Sequence, residues 1–150
     1  MVVDRDRRSP PDAPPAPALE DLLRDCCDDA RLDGAGVTVV SSGGLREPVY
    51  ATDVAANALA RLQLSLGEGP SVDCASSGTP VLVPDLDDED DRVMDRWPFF
   101  RHGARALGVR AVFAFPIRIG AIWLGGVDLH RRRPGPLGPD GWETDLFAGL

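Results

Sequence analysis

Leu19, Leu22, Leu23, Cys26, Cys27 and Ala30 recur every three or four residues, which predicts an amphipathic helix over 18–32. Both cysteines fall on or beside its apolar stripe, where they read as small core residues. AGVTVVS (35–41) then changes the period to two. Val37 and Val39 share one face of a strand, and Thr38 and Val40 share the other. Ser42-Gly43-Gly44 marks a turn, and EPVYAT returns as a second strand to complete a hairpin. Thr52 or Asp53 is expected to cap a helix that runs to Leu66, burying Ala55, Leu59, Leu62 and Leu66 and closing at Gly67. Ser71 is expected to cap a short helix, VDCASS, that ends at Gly78. PVLVPD (80–85) reads as a third strand.

Asp95 is placed to cap a helix with Pro98 in its first turn, where a missing N–H costs nothing. Phe100, Ala104 and Leu107 line one face of it, and Gly108 ends it. Two further strands fold at Ile119-Gly120-Ala121. Phe113, Phe115, Ile117 and Ile119 alternate along the first, and Ile122, Leu124 and Val127 continue the apolar pattern in the second. Pro116 cannot donate to a ladder, which predicts a bulge or an unpaired position. RRRPGPLGPDG is a loop, and Trp142, Leu146, Phe147 and Leu150 begin a final helix. Hairpins near both ends with helices between them describe an α+β domain, an antiparallel sheet of about five to six strands flanked by helices.

The 150 residues suit a single domain. Residues 1–17 carry five of the fourteen prolines and no packing pattern, so a disordered tail is expected before a domain over 18–150. The net charge is −8, with Arg supplying all 16 basic residues. Binding to nucleic acid depends on neutralising phosphates, and an acidic chain without a basic stripe is poorly suited to it. Cys26, Cys27 and Cys74 fit no zinc spacing, and a reduced, cytoplasmic protein accounts for them most simply. No apolar run reaches the length of a membrane span. DLDDEDD (85–91) holds six carboxylates. A calcium loop would need Gly and Glu where Asp90 and Arg96 stand, so these residues read as a solvated, mutually repelling loop. No phosphate-cradling glycine loop and no Ser–His–acid constellation is present. His102 and His130 read as surface or strand-end residues, and Arg118 and Asp128 as a cross-strand surface pair.

Five segments occur together in order: GEGP (67–70), PVLVPDL (80–86), RWP (96–98), the 108–131 hairpin and PGPL (134–137). Together they make most of residues 34–150 resemble a GAF domain, most similar to the bacterial GAF domains that precede an RNA-binding ANTAR domain. The resemblance implies a sensory or regulatory role, exercised through a small-molecule ligand, a signalling partner or dimer contacts. The terminal helices would then pair in a homodimer. It implies no particular cofactor or metal. Many relatives carry Cys where this chain has Ser71. The residues through Leu150 leave no room for an ANTAR part, so RNA binding is not expected of this chain.

A GAF-like ligand cavity would lie between the sheet, the short helix at 71–77, the loop after Asp85 and the helix from Arg96. Its candidate lining is Asp73, Cys74, Asp85, Trp97, Phe100, Phe113 and Phe115. Trp97 could stack on a planar ligand or staple its helix to the core. The 85–95 loop and the terminal helices are the candidate moving parts. Two alternatives remain beside the sensor: a purely structural dimerisation module, and an enzyme resembling the free methionine sulfoxide reductases. The latter work through closely placed cysteines, whereas residues 28–73 here contain none.

Overall fold

In the computed structural model, which describes residues 19–90 and 92–138, ten elements build one sheet with helices on both faces. They are α1 (Leu19–Ala30), β1 (Gly34–Val40), β2 (Arg46–Ala51), α2 (Val54–Leu66), α3 (Pro70–Ser77) and β3 (Val81–Val83), followed by α4 (Val93–Arg96), α5 (Pro98–Ala106), β4 (Ala111–Ile119) and β5 (Ile122–Arg131). The strands pair antiparallel in the order β2-β1-β5-β4-β3. This is the expected α+β class with five strands. The expected tail over 1–17 and the helix from Trp142 lie outside the described residues.

The period of two divides the apolar residues between two cores. On one face, Leu23, Cys27 and Ala30 of α1 pack on Ala35, Val37, Phe113, Phe115 and Leu129. On the other, Leu59 of α2 joins Val83, Val112, Trp97, Phe100 and Ala104. Each fully buried large side chain contributes on the order of 1.5–3 kcal/mol, so both layers are needed to hold the sheet. Arg131, at the end of β5, is itself buried. It donates to the carbonyls of Ala30, Arg31, Gly135 and Pro136, tying the end of α1 to the 134–137 loop.

Several local expectations change. Leu66 is 40% exposed, and Gln63 takes a buried place on α2 instead. The chain reverses at Gly67 (φ 63) and Gly69 (φ 134), which carries the next segment back over Gln63. Because of that reversal α3 begins at Pro70, with Gly69 rather than Ser71 at its N-cap. Asp95 lies inside the short α4 instead of capping the next helix. Trp97 precedes Pro98, and its side chain caps nothing. Glu68 supplies the cap from a distance, its Oε1 accepting from the N–H groups of Phe99 and Phe100, both at 2.8 Å. The third strand shrinks to Val81–Val83 because its partner residues Val112–Ala114 are the only ones it reaches.

The irregularity in the last hairpin falls just beyond Pro116, which stays in register with Gly126. Arg118 opposes Trp123 and Ile117 opposes Gly125, leaving Leu124 as the extra residue. Beyond it the hairpin outruns β1, whose last partner is Gly125. Ile119 and Ile122 are therefore 64% and 65% exposed, against the expectation of a continuous apolar face.

The acidic loop is not uniformly solvated. Asp85 accepts from Arg110, and Asp87 pairs with Arg101, Arg105 and Arg110 at 2.9–3.2 Å. Burial pushes the Asp85 carboxyl up, but the Asp87 N–H and the Arg110 guanidinium outweigh it, and the net shift is downward. The arginines come from α5 and the residue just before β4, far along the chain, so composition could not reveal the pairing.

A polar row beneath the helices

The bulge has a second effect. Trp123 and Asp128 are five residues apart and would point to opposite faces of a regular strand. The extra residue brings both to the helix-covered face, where they border a small cavity roofed by α3. Ala114, Gly125 and Gly126 make its floor, Thr38 and Val40 one wall, and Ser71, Cys74 and Ala75 its roof. Arg46, at the start of β2, closes the remaining side with its guanidinium 5.4 Å from the centre of the Trp123 ring. The enclosed space is about 10 Å³, close to the room one water needs.

The chemistry centres on Asp128. Its Oδ2 accepts from Gln63 Nε2 at 3.2 Å, and Gln63 Oε1 accepts the Ser71 N–H at 2.8 Å. The second carboxylate oxygen, Oδ1, is shut off from solvent and has no hydrogen-bond partner among the described residues. Trp123 Nε1 is in the same state. Burial pushes the Asp128 carboxyl up to about 6, opposed by the Ser71 side chain, which acts on the carboxylate without making a hydrogen bond of good geometry, and by the Gln63 amide. The expected pair with Arg118 does not form. Ala114 stands opposite Asp128, and Arg118 instead donates to the Gly78 carbonyl at 2.6 Å.

His130 continues the row. It is 2% exposed, not a surface residue, and its Nε2 lies 3.5 Å from the Asp53 carboxylate. Burial pulls its pKa down, and Asp53 opposes that pull. Asp53 is also the α2 cap, accepting the Ala56 N–H at 2.7 Å. Alternation along β5 thus sets Asp128 beneath Gln63 and His130 beneath Asp53. Neither residue carries a local signal for this, since the covering helix arrives from residues 54–66.

Of the seven candidate lining residues, Cys74 and Phe115 border the cavity. The Phe115 side chain belongs to the α1-side core, as does that of Phe113. Trp97 and Phe100 meet edge to face, ring centres 6.1 Å apart, in the other core. Asp73 is exposed and pairs with Arg96 at 3.2 Å, and Asp85 is held by Arg110. The sequence reading missed Asp128, Trp123, Gln63 and Arg46. Alternation places Asp128 and His130 on one face of an apolar strand, but nothing local shows that α2 covers that face.

Burial pushes the Cys74 thiol up to about 12. Asp128 adds to the rise, while Arg118 and Arg46 oppose it. Cys26 and Cys27 are free thiols on α1, across the sheet. Among the described residues no group of three or more His, Cys, Asp or Glu could hold a metal ion, and no helix is long and apolar enough to cross a membrane.

Comparison with known proteins agrees with this architecture. The model of the GAF domain family matches residues 15–148. No curated protein matches the chain. Among solved structures, the GAF domain region of a proposed membrane protein from Geobacter sulfurreducens PCA superposes with a TM-score of 0.64 at 18% identity, over 85% of this chain and 82% of that one. The GAF domain of a two-component sensor histidine kinase from Bacillus halodurans gives 0.59 at 11% identity, over 90% and 92%. The NreA protein of Staphylococcus aureus, mutated in its nitrate binding site, gives 0.58 at 13% identity, over 81% and 88%. With the family model spanning nearly the whole sequence, the chain belongs to the GAF domain family.

Proposed function

We propose that this chain is a sensory or regulatory GAF domain that binds a small molecule in the cavity beneath α3 and passes the change to a partner. The observation that carries the reading is the pair of buried, unpartnered polar atoms, Asp128 Oδ1 and Trp123 Nε1, on one cavity. A buried polar atom without a partner costs about 1–3 kcal/mol. A ligand that satisfies both recovers that cost, which favours the bound arrangement. The enclosed space is too small for most metabolites, so a ligand must part α3 from the sheet. Binding and a change of conformation are then one event. A nitrate site named for one structural relative and a sensor kinase named for another support a sensory role.

A thiol enzyme is the less supported alternative. Its nucleophile would be Cys74, which burial keeps protonated, and no second thiol stands on the same face of the sheet. The GEGP, PVLVPDL and RWP segments favour the GAF domains of GAF–ANTAR regulators as the nearest subtype. Leu19 and Leu22, 47% and 45% exposed on α1, are available for a homodimer, which light scattering would reveal. The ligand reading is tested by a thermal-shift screen of small metabolites on native protein and on Ala75→Leu, which fills the cavity. Stabilisation of the native protein alone is expected. A broad panel with no effect on either would sink the reading.

A further inference from the structure

The helix that roofs the cavity has little apolar hold on the sheet. Of the 8 residues of α3 only Pro70 and Cys74 are buried, and among the described residues neither core includes a residue of α3. Polar contacts hold it instead. The Ser71 N–H donates to Gln63 Oε1 at 2.8 Å, and Arg118 donates to the Gly78 carbonyl at 2.6 Å. Asp73 pairs with Arg96, but both side chains are 41% exposed, and water screens such a pair. An element with few buried apolar contacts opens at far less cost than the whole domain unfolds.

The chain on either side of α3 is anchored. Glu68 holds the incoming turn on α5 through the Phe99 and Phe100 N–H groups, and the outgoing chain enters β3 at Val81. Between each anchor and the helix stands a glycine at positive φ, Gly69 (φ 134) and Gly78 (φ 69), where no Cβ obstructs rotation of the backbone. Gly69, at the N-cap, has no side chain to offer, so the first turn takes its acceptor from Gln63 of α2. Gln63 is built into that place. It is 2% exposed, its Nε2 donates to Asp128 Oδ2, and a Cβ on Gly69 would come within 2.6 Å of its Oε1. Asp128 Oδ1 and Trp123 Nε1, without partners among the described residues, would gain water if α3 lifted. Opening therefore recovers part of what it breaks. We propose that α3 is a flap that turns on Gly69 and Gly78, that Gln63 latches it shut, and that its opening is the way into the cavity. This rests on the reading of that cavity as the sensory site.

Two buried thiols allow the test. Cys74 on α3 is 3% exposed, and Cys27 in the α1-side core is 7% exposed. Burial pushes both up to about 12, so neither reacts until water reaches it. The full chain is labelled with N-ethylmaleimide at increasing urea below the unfolding transition, and each cysteine is read by mass spectrometry of its peptide. Cys74 should label roughly tenfold faster than Cys27 despite its deeper burial. Its rate should depend little on urea, because lifting the flap exposes little surface, whereas that of Cys27 should rise steeply. Val37→Ala, in the α1-side core, should speed Cys27 and leave Cys74 unchanged. Gln63→Leu, or Gln63→Met if the first does not fold by circular dichroism, should speed Cys74 about tenfold, and Asp73→Asn about twofold. Cys74 that follows Cys27 in urea and in Val37→Ala overturns the flap, and an unchanged Cys74 rate in the folded Gln63 variant overturns the latch. If metabolites stabilise the native protein while Cys74 follows Cys27, the sensory cavity stands without the flap. If Cys74 labels locally and no metabolite stabilises the protein, the flap stands and the sensory reading falls.

Discussion

Replacing Asp128 by Asn keeps the shape of the side chain and removes its charge. In the native protein, burial raises this carboxyl from 3.8 to about 6. The folded state therefore binds a proton more tightly than the unfolded chain between those values. Stability from this group is fully present below about pH 4 and is lost as pH rises through about 6. The displacement amounts to about 3 kcal/mol at about 1.4 kcal/mol per tenfold change, and water reaching the half-buried residue reduces it, so about 1–3 kcal/mol is expected. The amide that replaces the carboxylate can still accept from Gln63 Nε2 through its oxygen, so little else is lost. Urea unfolding of both proteins should give similar free energies near pH 4. Near pH 7 the variant should be the more stable by about 1–3 kcal/mol, or roughly 2–10 °C in Tm for a chain of this size. Taking the difference between the two proteins cancels the opposite pH dependence of His130. A variant that loses more stability at pH 7 than at pH 4 would refute the claim that Asp128 is held without a counter-charge.

Glu68→Ala removes the acceptor for two N–H groups at the start of α5 and should cost about 1–2 kcal/mol. Glu68→Gln should recover about half, as measured by chemical denaturation. Arg131→Ala strips donors from four carbonyls and should cost about 2–4 kcal/mol, with faster amide exchange at the end of α1 as its local signature. Gly125→Ala would drive a methyl into the Thr38 carbonyl, at a φ of 157° that disfavours side chains, so a loss of at least about 2 kcal/mol in thermal unfolding is expected. A loss below about 0.5 kcal/mol there would mean that the β1–β5 contact yields more readily than its geometry indicates.

Much of the fold was legible along the chain because its determinants are local. Leu23 and Cys27 recur at helical spacing, Val37 alternates with Thr38, and Gly67 and Gly78 adopt the left-handed conformation that stops a helix. Such signals depend on neighbours within a turn or two, which one sequence displays directly. The family resemblance rests on several of them in order. The candidate site was less legible. Trp97, Phe100, Phe113 and Phe115 looked like pocket walls because aromatic residues serve equally as lining and as core, and only the face of the sheet separates the two uses. The extra residue at Leu124 brought Trp123 to the face of Asp128, and no periodicity in the strand announces that. The remote cap from Glu68, the arginines that hold Asp87, and the burial of Asp128 under Gln63 each join residues more than a dozen positions apart. Backbone propensity and apolar spacing, which act along the chain, were set by the sequence alone. Which polar groups lost their water, and which found no partner afterwards, was decided when the helices closed over the sheet.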